Sequence, residues 1–103
     1  MKRIMVRYKV KADRAAENEQ FIREVFAELK ADGPAGLRYA PFKLDDGVSF
    51  VHIASVETDD GANRLSQTAA FRSFQENIRD RCEEPPIAVE LHQVGAYRLF
   101  VDE

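Results

Sequence analysis

The chain has 103 residues, 45% of them apolar, with 15 basic and 18 acidic residues for a formal net charge of −3. That length supports one hydrophobic core and one domain over residues 1–103, and because charges of both signs interleave, no basic face exists to drive nucleic-acid binding. The single cysteine, Cys82, excludes an internal disulfide, and without a second Cys or His at ligand spacing it offers no zinc site.

At the N-terminus, "RIMVRYKVK" places Ile4, Val6, Tyr8 and Val10 on one face and Met5, Arg7 and Lys9 on the other, the period of a strand. Arg7 and Lys9 also break the apolar run before it reaches signal-peptide length, and no stretch approaches the roughly 20 apolar residues of a membrane helix. A soluble, cytoplasmic protein without membrane or nucleic-acid partners is the expectation. Beyond Asp13, a candidate N-cap, apolar residues at Phe21, Ile22, Val25, Phe26 and Leu29 repeat at helical spacing. The spacing predicts a helix from Ala15 to Ala31, stopped by Gly33 and Pro34.

"GLRYAPFKLDDGVSFVHIASVE" reads as two strands joined at Asp45, Asp46 and Gly47, since a glycine after Asp accepts the positive φ of a tight turn. Apolar parity in the first of these strands flips from Leu37 and Tyr39 to Phe42 and Leu44 around Pro41, which predicts a bulge or an edge position. The second strand is apolar on both faces, with Val48, Phe50 and Val56 on one and Val51 and Ile53 on the other. A chain this short has helices for only one face, so a partner is expected on the other.

"TDDGAN" supplies capping candidates for the next helix. Leu65 and Thr68 form a first turn, and Ala70, Phe71, Phe74, Ile78 and Cys82 continue at spacings of three and four, in one run or two pieces. "EEPP" is expected to end the helix. "IAVELHQVGAYRLF" then reads as a long strand whose phase slips near Val94 and Gly95 and which is long enough to reach a second subunit. Strand, helix, strand, strand, helix, strand is the α+β, ferredoxin-like βαββαβ sandwich with an antiparallel sheet.

That order, together with "VSFVHIASVET", "LSQTAAFRSFQENI" and "EPPIAVELHQVGAYRLF", resembles the dimeric α/β barrel proteins, specifically the antibiotic biosynthesis monooxygenase-like family, over roughly Arg3 to Phe100. The resemblance implies two subunits packed sheet against sheet, joined also through the C-terminal strand, with a pocket between sheet and helices in each. Ala54 and Val56 stand where the family carries an acid and a tryptophan, and Ala70 stands where haem-degrading relatives carry a histidine, so no haem, metal or other cofactor is expected.

Candidate catalytic residues are His52, which titrates near neutral pH and can act as a general base, and Tyr8, a core-facing phenol that can donate a hydrogen bond. Each also has a structural reading, as a satisfied interior histidine and as a phenol tied to a protein partner. Tyr39, Phe50, Phe71 and Phe74 are candidate substrate-binding residues, though Phe71 and Phe74 have ordinary core spacing as well. His92 falls out of phase with Val89 and Leu91 and is expected at an exposed strand position; Arg7 is expected to face the partner, and Tyr97 is undecided. No phosphate loop, Gly-x-Ser-x-Gly elbow, Cys-x-x-Cys or His-Glu-x-x-His is present.

Two functions stay open. One is cofactor-free oxygenation of an activated aromatic or polyketide-like molecule, with proton-transfer isomerisation as a variant. The other is a non-catalytic dimer that binds an apolar small molecule or another protein.

Overall fold

The computed structural model describes residues 2–57 and 64–99. The alternation at the N-terminus is realised as β1, Lys2–Val10, in which Tyr8 and Val10 are buried and Arg7 is exposed. A 3-10 turn over Ala12–Arg14 leads into α1, Ala15–Asp32. Asp13 lies inside that turn and does not cap the helix; Arg14 holds the N-cap position and pairs with Glu17 at 2.6 Å. Gly33 ends α1 at φ 55°, its N–H reaching the Leu29 carbonyl at 2.8 Å, a conformation that glycine adopts without a Cβ clash.

The hairpin joins β2, Leu37–Lys43, to β3, Ser49–Val56. At its turn Gly47 has φ 77°, and Asp46 accepts the Val48 and Ser49 N–H groups at 3.0 and 2.8 Å and the Ser49 hydroxyl at 2.6 Å. Those bonds, the Ser49 hydroxyl foremost, hold the Asp46 carboxyl down to about 2.

After a 3-10 turn at Leu65–Gln67 come α2, Ala69–Gln75, and the single turn α3, Ile78–Arg81. Asn77, at φ 65°, divides them, so the expected helix does run in two pieces. Thr68 caps α2 by accepting the Phe71 N–H at 3.2 Å. The Glu28 carboxylate of α1 accepts the Ala69 and Ala70 N–H groups at 3.1 and 2.9 Å, which ties the two helices together. The "TDDGAN" capping candidates fall outside the described residues.

The last strand, β4, is Cys82–Leu91, and it corrects two expectations. Cys82 belongs to the strand and not the helix, and "EEPP" lies within β4. Prolines are tolerated there because β4 is an edge strand, and their neighbourhood coincides with shifts in its register against β1 between Arg7 and Val10. The strand also stops at Leu91, so the expected continuation through Val94 is not made; the segment from His92 to Leu99 is irregular, with Val94, Tyr97 and Leu99 exposed.

The sheet order is β2-β3-β1-β4 with every pair antiparallel, the ferredoxin-like arrangement. Register from Leu37↔Val56 to Lys43↔Phe50 is unbroken, so Pro41 marks an edge and no bulge, and Phe42 simply points to the face opposite Tyr39. One sheet face carries the helices and a core of Tyr8, Val10, Phe50, Ile22, Val25, Leu65 and Phe74. Full burial of one such large apolar side chain contributes roughly 1.5–3 kcal/mol.

Candidate functional site

The helix-side face of the sheet positions the site. Because β3 alternates, Phe50, His52 and Ala54 share that face, and register sets Tyr8 opposite Phe50 and Tyr39 opposite Ala54. Tyr8 and Tyr39 therefore lie on the diagonals either side of His52, within reach of long side chains. The Tyr8 hydroxyl is 2.8 Å from His52 Nε2 and the Tyr39 hydroxyl 2.6 Å from Nδ1, so both ring nitrogens are engaged.

The chain of polar groups continues inward from Tyr8. Asn18 of α1 donates from Nδ2 to the Tyr8 oxygen at 2.9 Å. Arg81 of α3 donates from Nε to Asn18 Oδ1 at 3.3 Å and from Nη2 to the Phe74 carbonyl at 2.6 Å, with Nη1 near the Glu76 carbonyl at 3.4 Å. The guanidinium lies 4.5 Å from the Phe21 ring centroid and 5.2 Å from that of Phe74, each within cation–π range. Five residues from five elements thus form one line, Arg81 to Asn18 to Tyr8 to His52 to Tyr39. Among the described residues no buried side-chain nitrogen or oxygen lacks a partner.

Burial sets the charge state of this line. It depresses the His52 imidazole to about 4, so the ring is neutral at pH 7. It raises both tyrosines above the usual phenol range, against the opposing Asn18 bond and Arg81 charge at Tyr8 and with the Tyr8 phenol adding to the rise at Tyr39. Arg81 is left as the cation at the inner end.

Aromatic rings pack around the line. Tyr8 stacks on Phe50 at 5.5 Å and 13°, Phe74 lies 5.4 Å from His52, Phe71 stacks on Phe74 at 5.8 Å, and Phe26 of α1 stacks on Tyr39 at 5.6 Å. The structure accordingly gathers all six candidates, His52, Tyr8, Tyr39, Phe50, Phe71 and Phe74. Phe50 and Phe74 are core residues, whereas Phe71 and Tyr39 are half-buried. His92 is exposed beyond the end of β4, Arg7 is exposed on the opposite sheet face, and Tyr97 is exposed; none joins the site.

An open cleft of about 280 Å³ lies between α1 and the β2–β3 hairpin. Ile22, Phe26, Pro41 and Phe50 form its apolar floor, and Glu19, Arg23 and Lys43 its rim, where Lys43 pairs with Glu19 at 3.0 Å. Neither His52 nor Tyr39 lines it. Phe26, the ring stacked on Tyr39, and Pro41, on the same strand face as Tyr39, join cleft and polar line. Among the described residues no three His, Cys, Asp or Glu side chains cluster as metal ligands would, and no helix is long and apolar enough to cross a membrane.

Asn18 and Arg81 were not among the candidates, although each had a signal. Asn18 precedes Ile22 by four residues, in phase with the apolar stripe of α1, and Arg81 follows Phe74 and Ile78 by seven and three residues. A polar residue at a stripe position implies a buried partner.

Fold and sheet order define a ferredoxin-like α+β protein, and comparison with solved structures narrows the class. The chain is similar to a Nitrosomonas europaea protein provisionally named an antibiotic biosynthesis monooxygenase, at 20% identity and TM-score 0.76, over 92% of this chain and all of that one. A Caulobacter crescentus protein of the same provisional name matches at 22% identity and TM-score 0.69, over 91% of this chain and 90% of that one. A point mutant of SnoaB, a cofactor-independent oxygenase from Streptomyces nogalater, matches at 17% identity and TM-score 0.69, over 95% and 97%. The chain therefore has the fold of the antibiotic biosynthesis monooxygenase-like structures, as the sequence resemblance implied. No protein-family model matches it, and no curated protein does.

Proposed function

We propose that the protein is a cofactor-independent oxygenase of an electron-rich, weakly acidic aromatic small molecule. The observation that carries this reading is a neutral histidine held at both ring nitrogens by tyrosine hydroxyls inside an aromatic shell, in a fold shared with a cofactor-independent oxygenase. The substrate ring lies in the cleft against Phe26 and Pro41, with Phe71 on the helix side of the site, and its oxygen meets Tyr39. His52 acts through Tyr39 and Tyr8 as one line, because both of its nitrogens are occupied.

The chemistry belongs to the substrate. A ring CH₂ flanked by a hydroxyaromatic system loses a proton to water at the open cleft, and the resulting carbanion gives one electron to dioxygen. Recombination forms a C–O bond, the peroxide regains a proton, and loss of water leaves a carbonyl, so CH₂ and O₂ become C=O and H₂O. The polar line supplies a pre-oriented hydrogen-bond donor for the anion.

A second reading, a ligand-binding dimer without catalysis, is favoured by one observation: among the described residues every buried polar side-chain atom has a partner without a substrate. In either case we propose that two copies pack through the outer sheet face, where Ile87 and Val89 are 66% and 41% exposed.

Oxygen uptake by purified protein with anthrone and quinol substrates is the test. The reading predicts turnover that Tyr39→Phe reduces at least tenfold; absence of uptake with all of them overturns catalysis in favour of binding.

A further inference from the structure

Hydrogen-bond bookkeeping along the buried line gives it a direction. A guanidinium has only donors, so the Asn18 atom facing Arg81 is the carbonyl oxygen and the atom facing Tyr8 is the amide nitrogen. The Tyr8 oxygen then accepts from Asn18, and among the hydrogen bonds of the described residues its own proton has one acceptor, His52 Nε2. A neutral imidazole carries one N–H. With Nε2 accepting, that N–H is at Nδ1 and points at the Tyr39 oxygen. Tyr39 thereby receives a hydrogen bond, and its proton is left with no acceptor in the hydrogen bonds of the described residues.

From this geometry we propose that Arg81, acting through Asn18 and Tyr8, fixes His52 as the Nδ1–H tautomer and turns the Tyr39 hydroxyl proton outward, to serve the anionic oxygen of a phenolate or enolate ligand. Every donor in the line then points the same way, from the cation at the buried end to the acceptor at the open end, and each bond polarises the next. Arg81, Asn18 and Tyr8 are positioning residues; Tyr39 is the group that touches the ligand. The inference rests on the proposed small-molecule site and adds the chemical class of what fills it, a small aromatic or conjugated molecule carrying a deprotonated oxygen. The apolar floor formed by Phe26 and Pro41 takes the ring, and Tyr39, which stacks on Phe26 next to that floor without lining it, takes the oxygen.

The tautomer is read directly from long-range proton–nitrogen NMR spectra of ¹⁵N-labelled protein at pH 7. The expected result is a protonated Nδ1 and an unprotonated Nε2 on His52; the opposite pattern overturns the proposal. Asn18→Asp sharpens the test, since a carboxylate cannot donate to Tyr8 and instead accepts its proton. His52 Nε2 must then donate to Tyr8, and the proposal predicts that the tautomer switches to Nε2–H in a folded protein, a change that a merely structural Asn18 would not produce.

At the open end the probe is 4-nitrophenol, whose ionisation is visible by absorbance. Wild-type protein is expected to favour the bound phenolate and to lower the phenol's pKa, with affinity falling roughly ten- to hundredfold in Tyr39→Phe. No shift in the probe's ionisation, or an equal shift in Tyr39→Phe, overturns the assignment of Tyr39. These outcomes separate from the oxygenase reading: the predicted tautomer and phenolate binding without oxygen uptake would keep the site and remove the reaction, whereas oxygen uptake with a reversed tautomer would do the converse.

Discussion

The two faces of the sheet are built from alternate residues of the same four strands, yet they differ in kind. The helix-side face buries Tyr8, Phe50 and His52 and threads a continuous line of hydrogen bonds through them. The outer face carries Val51, Ile53, Ile87 and Val89, with Ile87 and Val89 open to solvent, beside Arg7 and a cluster at its edge in which Arg38 and Ser55 each donate to Glu57 at 3.0 Å. The contrast teaches where function is to be sought: linked polar groups are buried on the helix side, where polarity is costly, and Ile87 and Val89 are displayed on the other face, where we propose that a second copy covers them.

The largest expected effect is at the buried cation. Arg81→Leu strips the donors from Asn18 and from the Phe74 and Glu76 carbonyls, and is expected to lower unfolding free energy by about 3–4 kcal/mol in urea titrations. A loss below 1 kcal/mol would mean that the line does not support the fold.

Next comes pH. A histidine held at about 4 in the folded chain but titrating at 6.5 when unfolded binds fewer protons in the native state over that interval. Stability from this group is therefore fully present above about pH 6.5 and declines as pH falls toward 4, by about 3 kcal/mol. Urea midpoints of wild type and His52→Gln at pH 7 and 4.5 measure it; the variant should lose the part of the pH dependence that His52 contributes.

Tyr8→Phe deletes one hydroxyl but strands both the Asn18 amide and His52 Nε2, so a cost of about 2 kcal/mol is expected by thermal or urea denaturation. The smallest effect on the protomer is on the other face. Val89→Lys should change the stability of the isolated fold by no more than about 0.5 kcal/mol. Its consequence is expected in assembly, with wild type sedimenting at twice the 11.7 kDa chain mass and the variant at the chain mass. A wild-type monomer would remove the contrast between the faces as an account of partnership.

Much of this architecture could be read from residue order alone. Period two in β1, the apolar repeat of α1, the Asp-Gly turn and the break in the second helix all express local rules that tertiary packing did not override. Pro41 and "EEPP" show the limit. A proline reports that a ladder N–H is missing, but whether that means a bulge, a strand end or an edge depends on which neighbour is absent, and only the sheet order tells. The site was half legible. His52, Tyr8 and Tyr39 stand out by residue type, and alternation puts His52 and Tyr8 on the core face, while Asn18 and Arg81 look like ordinary polar positions in charged helical stretches until α1 and α3 are folded against β1.

The central claim is that His52 is a neutral, fully engaged link in a buried line. Its direct measurement is the pH titration of the His52 ring carbon-bound protons by NMR. The account predicts that the His52 resonances hold their positions through neutral pH and move only near pH 4. A midpoint near 6.5 would contradict it.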